Sequence, residues 1–318
     1  MKRAVVLSTG AYLPKRCVTN RDLESMVDTT HEWIMERTGI ERRHIAADNE
    51  DAVSMAEIAA NRALEAAGLT ANDIDMIIVS TTTPTLVFPG TACLLQQRLK
   101  ISGCAAFDLN ASACAGFMYA FSIADQYIRA GTYKNILVIG SEVMSRIIDW
   151  SDRTICVLFG DGAGAVILSQ SDQPGVLSTH LHADGNYKDV LYLKQANRKE
   201  PQFENIKMQG NSLFKLAVNT LGNLFDETLA ANQLPKSAID WLVPHQANLR
   251  IIDAMARKLE LAHDRVTVTL AEQGNTSSAS IPLALDQAIR DGRIKRGQIL
   301  MMEGFGGGLA WGSALVKY

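Results

Sequence analysis

The chain reads as one α/β pattern written twice. Val6-Leu7-Ser8-Thr9 recurs as Val176-Leu177-Ser178-Thr179. Ala66-Ala67-Gly68-Leu69, a helix end, leads into the apolar segment Asp73 to Val79. Leu234 to Ser237 leads in the same way into Ala238 to Val243. Ile128-Arg129-Ala130-Gly131 precedes Ile136 to Ile139, as Ile289-Arg290-Asp291-Gly292 precedes Ile299 to Met302. Each copy closes on a Gly-rich turn and an apolar strand: Gly160 to Gly164 then Ala165 to Leu168, and Gly306 to Gly308 then Ser313 to Val316. The order is the same in both copies, and the spacing contracts only at the last match, so the second copy is shorter near its end. Alternating strands and helices predict an α/β protein. The duplication predicts two similar halves, 1–172 and 173–318, joined through the polar stretch Ser169 to Pro174. Halves packed together bring loops from both to one interface, where binding pockets often lie.

With 318 residues the chain can bury a large core. Its formal charge of −3 gives no reason to expect nucleic acid as a partner. The five cysteines (Cys17, Cys93, Cys104, Cys114 and Cys156) form neither a CxxC pair nor a compact framework, as in a reducing compartment. The six histidines do not join them at zinc-ligand spacing. No 18-residue apolar run suggests a membrane span. The N-terminal run Ala4 to Leu7 is broken by Ser8, Thr9, Gly10 and Pro14, which reads as a strand and turn rather than a secretory signal. The expected location is the cytoplasm.

Cys114 lies in Asp108-Leu109-Asn110-Ala111-Ser112-Ala113-Cys114-Ala115-Gly116-Phe117, between a predicted strand over 103–107 and a predicted helix over 116–129. A thiol there meets a helix N-terminus, whose dipole and unpaired N–H groups favour a thiolate and can hold an oxyanion. In the second half three further turns follow predicted strands: Pro244-His245-Gln246-Ala247-Asn248, Gly274-Asn275-Thr276-Ser277 within the run to Ser280, and Phe305-Gly306-Gly307-Gly308. Singly, each has an ordinary structural explanation: a satisfied histidine, an Asx turn, a permissive backbone. The duplication places the Asn275 turn where the Cys114 turn stands in the first half. Together Cys, His and Asn at converging strand ends look like an acyl-transfer site.

These motifs, with Phe159-Gly160-Asp161-Gly162-Ala163-Gly164 and Glu32-Trp33-Ile34…Arg37-Thr38-Gly39-Ile40, make the chain resemble the β-ketoacyl-acyl carrier protein synthase III family of the thiolase superfamily, over essentially its whole length. The resemblance implies a thiolase-like fold, two duplicated α/β halves in αβαβα layers, the first carrying the nucleophile and the second His and Asn. It implies that Cys114 takes an acyl group, acetyl above all, from acyl-CoA and holds it as a thioester. Backbone N–H groups of Cys114 and Gly307 form the oxyanion hole, and His245 and Asn275 stabilise the enolate made when malonyl-acyl carrier protein loses CO2. The product is a 3-ketoacyl carrier protein that starts fatty acid synthesis. No metal or redox cofactor is implied; CoA and carrier-protein thioesters are substrates.

The same resemblance implies further contacts. Trp33 and Arg153 sandwich the CoA adenine, with Arg37 and Thr38 near the nucleotide. Gly210, Asn211, Phe214 and Ala217 flank the pantetheine arm. Phe88 crosses a homodimer interface to close the partner's acyl pocket, whose other neighbours are Met144, Phe159, Leu191 and Ile206. Lys215, Arg250, Arg257 and Lys258 form a basic patch for the acidic carrier protein, or are simply solvated helix faces. Met118, beside the nucleophile, and Leu86-Val87 before Phe88 depart from common patterns and leave fine substrate preference open. Thiolases need a second catalytic cysteine late in the chain, and the last here is Cys156; elongating synthases use two histidines. A secondary-metabolism condensing enzyme using another acyl-CoA or acceptor, and a non-catalytic carrier-protein binding module, remain as alternatives.

Overall fold

Strand Met76–Ser80 is buried at every residue and lies parallel to both neighbours, Ala105–Leu109 and Asn135–Glu142. A strand covered on both faces needs a continuous apolar run rather than alternation, which is what Met76 to Val79 supplies. The computed structural model describes residues 2–110, 113–194 and 205–318, so Ala111 and Ser112 of the nucleophile motif lie outside the described residues. Its first sheet has the order Arg3–Tyr12, Gly162–Ser171, Asn135–Glu142, Met76–Ser80, Ala105–Leu109. The second runs Val176–Ala183, Ala310–Lys317, Ile299–Gly306, Trp241–Pro244. Both share one pattern, with two antiparallel pairings followed by a parallel one. The fifth position of the second sheet is reduced to a parallel bridge between Leu242 and Val266.

Helices Ala52–Ala67 and Thr91–Arg98 cover the outer face of the first sheet, packing Met55, Ala59, Ala63 and Leu95 on Ile77, Val79 and Ile139. Helices Gly210–Asn232 and Leu249–Leu259 cover the outer face of the second, with Leu224, Phe225 and Met255 on Leu242, Met301 and Leu315. Between the sheets lie Gly116–Arg129 and Ser280–Arg290, whose Phe117, Phe121, Ile281 and Leu285 meet Ile78 and Val138 on one side and Val243 and Met302 on the other. The result is five layers, α-β-α-β-α, as the resemblance implied.

Two equivalent glycines let the halves interlock. A Cβ on Gly140 would sit 2.2 Å from the Ser278 carbonyl oxygen, and one on Gly304 would sit 2.9 Å from Met118 Cγ and 3.3 Å from Ala115 Cα. Each half thus clears space for the strand-to-helix turn of the other. Met118 occupies the gap left by Gly304 and Gly312, which accounts for its place beside the nucleophile. Among the described residues no helix is long and apolar enough to cross a membrane.

Candidate active site

The turns that open the two central helices are built alike, although the second follows the short helix Leu270–Gln273 and not the expected strand. Ala113–Ala115 forms one turn of 3₁₀ helix before Gly116–Arg129, and Ser277–Ala279 forms one before Ser280–Arg290. Each opens on a non-glycine residue in the left-handed region, Ala113 at φ 47° and Ser277 at φ 52°. Such residues are uncommon and cost of order 1–3 kcal/mol, so finding one at both turns marks a shared constraint. The match pairs Cys114 with Ser278, within the two turns that the duplication sets in equivalent places.

The two turns pack on each other, and the Asn275–Ser280 segment reaches all three candidate catalytic groups. The Ser277 turn packs on the Cys114 turn, and the Ser277 N–H donates to Asn275 Oδ1 at 2.9 Å. That bond fixes the Asn275 amide with its oxygen turned inward and its NH2 left as a donor. The Asn275 backbone is clamped between Leu158 O, 2.8 Å from its N–H, and Gly160 N–H, 3.0 Å from its carbonyl oxygen. His245 follows Trp241–Pro244, and its N–H donates to Glu303 O at 2.8 Å. Its Nδ1 lies 2.6 Å from Ser280 Oγ. Gly307 begins the turn after Ile299–Gly306, a strand that packs directly on the Cys114 turn.

Electrostatics correct one expectation. Cys114 does sit at the N-terminus of a helix, but burial pushes its thiol up to about 12; the Glu142 carboxylate adds to the rise and the Ser277 hydroxyl opposes it. Burial therefore favours the thiol over the thiolate in the resting site. Burial alone drives His245 down to about 3, so the imidazole is neutral throughout the physiological range.

Glu142, fully buried, escaped the sequence reading. It accepts from Thr82 N at 3.0 Å, Thr83 Oγ1 at 2.7 Å, Ser277 Oγ at 3.1 Å and Ser278 Oγ at 3.0 Å, and so ties the Thr81–Thr83 segment to the second half's turn beside Cys114. Its only sequence signal is a carboxylate ending an apolar strand.

Outside this centre the expected groups fall into clusters. Arg37 and Arg153 both lie over Trp33, their guanidinium carbons 5.1 and 5.3 Å from its ring, and Arg153 also donates to Asp28 O at 2.6 Å. Thr38 does not join them: it is buried, and its hydroxyl bonds Ile34 O and Ile40 N to close the His31–Thr38 helix, so the contact expected of it with a nucleotide is not available to that hydroxyl. Gly210, Phe214 and Ala217 share one face of their helix, with Asn211 exposed at its edge. Met144, Phe159, Leu191 and Ile206 meet in one apolar cluster, and Phe159 bridges to Asn275. Phe88 is 85% exposed, with Val87 and Leu86 also exposed. Lys215, Arg250 and Arg257 are exposed, and Arg250 lies 5.6 Å over the Phe214 ring. Lys258 leaves the expected basic patch: its amine lies over Gly222 and 3.6 Å from Asp226 Oδ2, a pairing across two helices made possible by the missing side chain. Among the described residues no cluster of three or more His, Cys, Asp or Glu side chains is placed to hold a metal.

Glu303, whose carbonyl holds His245, is fully buried with neither carboxyl oxygen hydrogen-bonded, and burial raises it to about 8. A carboxyl whose folded pKa exceeds its unfolded value binds more protons when folded. Its stabilising contribution is present below about pH 4.5 and is lost as pH rises towards 8, by roughly 1.4 kcal/mol per unit at most. Glu303→Gln is therefore expected to gain stability relative to the parent chain as pH rises from 5 to 8. Denaturant midpoints across that range check this, and a constant difference would refute it.

A family model described as 3-oxoacyl-[acyl-carrier-protein (ACP)] synthase III matches residues 107–185, and one described as the C terminal of the same synthase matches residues 229–318. The chain is 61% identical over 316 residues to a β-ketoacyl-[acyl-carrier-protein] synthase III of Methylococcus capsulatus, covering 98% of each. It superposes on the crystal structure of 3-oxoacyl-[acyl-carrier-protein] synthase III from Aquifex aeolicus with a TM-score of 0.94, 45% identity and coverage of 99% of this chain and 100% of the other. The priming β-ketosynthase of the R1128 polyketide pathway is also similar, with a TM-score of 0.94, 36% identity and coverage of 99% of this chain and 96% of the other.

Proposed function

Since the chain belongs to the 3-oxoacyl-[acyl-carrier-protein] synthase III family, we propose that Cys114, His245 and Asn275 carry its acyl transfer and decarboxylative condensation. The observation that carries this assignment is the Asn275–Ser280 segment, which packs on the nucleophile's turn and bonds the histidine and the asparagine amide at once.

In the first half-reaction the Cys114 sulfur attacks the carbonyl carbon of acetyl-CoA. The backbone N–H groups of Cys114 and Gly307 receive the developing oxyanion, the C–S bond to CoA breaks, and CoA leaves as its thiol with the proton that Cys114 gave up. In the second, malonyl-acyl carrier protein loses CO2, and the electron pair of the broken bond passes into an enolate. Neutral His245 and the free NH2 of Asn275 donate hydrogen bonds to the enolate oxygen; a charged imidazolium is not needed, and burial excludes it. The enolate carbon attacks the Cys114 thioester, the Cys114 sulfur leaves and takes up a proton from solvent to restore the thiol, and a 3-ketoacyl carrier protein is released to begin fatty acid synthesis.

The Trp33, Arg37 and Arg153 cluster suits the adenine end of CoA, and the face of Gly210, Phe214 and Ala217, with Asn211 beside it, suits the pantetheine arm. Exposed Leu86, Val87 and Phe88 support a homodimer in which Phe88 closes the partner's acyl pocket beside Met144, Phe159, Leu191 and Ile206. The halves 1–172 and 173–318 are assigned as the nucleophile-bearing and the enolate-stabilising units, and the working compartment is the cytoplasm.

Purified enzyme given a panel of acyl-CoA primers and malonyl-acyl carrier protein is expected to form 3-ketobutyryl carrier protein fastest from acetyl-CoA. Failure to condense any primer would overturn the assignment, and preference for another primer would move it to a secondary pathway. Lys215, Arg250 and Arg257 form the carrier-protein dock. Arg250→Glu is expected to raise KM for malonyl-acyl carrier protein roughly tenfold while changing that for acetyl-CoA far less, because charge reversal acts on the acidic partner. Equal changes in both would remove Arg250 from the dock.

A further inference from the structure

We propose that Ser280 is a positioning residue that fixes His245 in the tautomer carrying its proton on Nε2. The inference rests on the role given to His245 above and names what prepares it. Ser280 opens the Ser280–Arg290 helix and is fully buried. Its Oγ lies 2.6 Å from His245 Nδ1 and accepts the Gln246 N–H at 3.3 Å.

A hydroxyl has one proton to donate and two lone pairs to offer. The Gln246 N–H takes a lone pair. Among the described residues no other acceptor faces this hydroxyl, so its proton belongs to His245 Nδ1; a buried hydroxyl left without an acceptor would bear the cost of an unmade bond. Nδ1 is then an acceptor, and the single proton of the neutral ring sits on Nε2. In the opposite tautomer Nδ1–H and the Gln246 N–H would both point at Ser280 Oγ, stranding the Ser280 proton. That tautomer would also present an Nε2 lone pair to the developing enolate, repulsion in place of a hydrogen bond. Setting a histidine's tautomer through its second nitrogen is a general device for preparing the first. Here the serine belongs to the same segment that orients Asn275 and contacts Cys114, so one turn prepares all three groups.

Long-range ¹⁵N–¹H correlation spectra of the histidine-labelled protein, with His245 assigned by its absence from His245→Ala, read the tautomer directly. A protonated Nε2 and an unprotonated Nδ1 are expected in the parent chain, and a protonated Nδ1 would overturn the proposal whatever the variants do. In Ser280→Ala the tautomers should mix, and decarboxylation of malonyl-acyl carrier protein should fall roughly tenfold, the loss of about one hydrogen bond. Acyl loading of Cys114 should stay within about twofold. Ser280→Thr, which keeps the hydroxyl, should restore both the tautomer and the rate. An unchanged Nε2–H tautomer and an unchanged decarboxylation rate in Ser280→Ala would refute the proposal. A parent chain with the Nε2–H tautomer whose His245→Ala variant still decarboxylates normally would sink the role of His245 while leaving the tautomer assignment standing.

Discussion

Cys114→Ala is expected to form no acyl-enzyme and to lose condensation by at least ~10⁴-fold, because removing the group that bonds to substrate costs far more than removing one that polarises it. The variant should still fold. It exchanges a buried thiol for a methyl between Ala113 and Ala115, a change of about 1 kcal/mol, and leaves the left-handed turn at Ala113 untouched. CoA binding should survive, since Trp33, Arg37 and Arg153 lie on other elements. The variant therefore separates binding from chemistry: acetyl-CoA still binds in calorimetry, while the acyl group stays on CoA. Condensation at more than a hundredth of the parent rate would reassign the nucleophile. Cys17, Cys93, Cys104 and Cys156 are not candidates by position, since none sits in the turn that meets Ser277.

His245→Ala and Asn275→Ala are each expected to lose decarboxylation by ~10²–10³-fold while keeping acyl loading, because each removes one donor aimed at an oxygen that becomes negative only in the second half-reaction. Asn275→Asp should do worse than Asn275→Ala: it replaces a donor with a carboxylate and sets charge against charge. Rapid-quench measurement of loading beside CO2 release resolves the two steps. Loss of loading with decarboxylation intact would reverse the assignment. The pH dependence follows from the burial of His245. With its pKa driven down to about 3, the imidazole is already neutral at pH 5, so its own titration should impose no fall in decarboxylation between pH 5 and 8. A loss of activity on acidification through pH 6.5 that disappears in His245→Ala would show that the ring titrates normally and is more open to water than its 6% exposure implies.

Much of the fold was legible because the duplication is written in short apolar runs whose order the two sheets reproduce. The contraction of the second half was legible too, although its physical form was not: a short turn over 307–309 joins Ile299–Gly306 to Ala310–Lys317, where the first half runs through 143–161 from Asn135–Glu142 to Gly162–Ser171. Cys114 and His245 could be read because each follows a strand, and Asn275 because its turn opens a helix, although it follows the short helix Leu270–Gln273 and not the expected strand. Ser277 and Ser280 could not: hydroxyls at a helix start ordinarily read as caps facing water, and here both are buried, Ser277 against Glu142 of the first half and Ser280 against His245. Glu142 gathers donors from segments far apart in sequence, which no local pattern records. The burial that pushes the Cys114 thiol up is a property of the packed structure that the local sequence does not record. Lys258 looked like Arg257 in sequence; the gap above Gly222 draws it to Asp226 instead.

The central claim is that Cys114 holds the acyl group between the two half-reactions. Mass spectrometry of the protein incubated with acetyl-CoA alone, followed by acid quench and peptide mapping, tests it most directly. A single acetyl group on the peptide containing Cys114, discharged when malonyl-acyl carrier protein is added, is the result expected. An acetyl group on any other residue, or none while condensation proceeds, would contradict it.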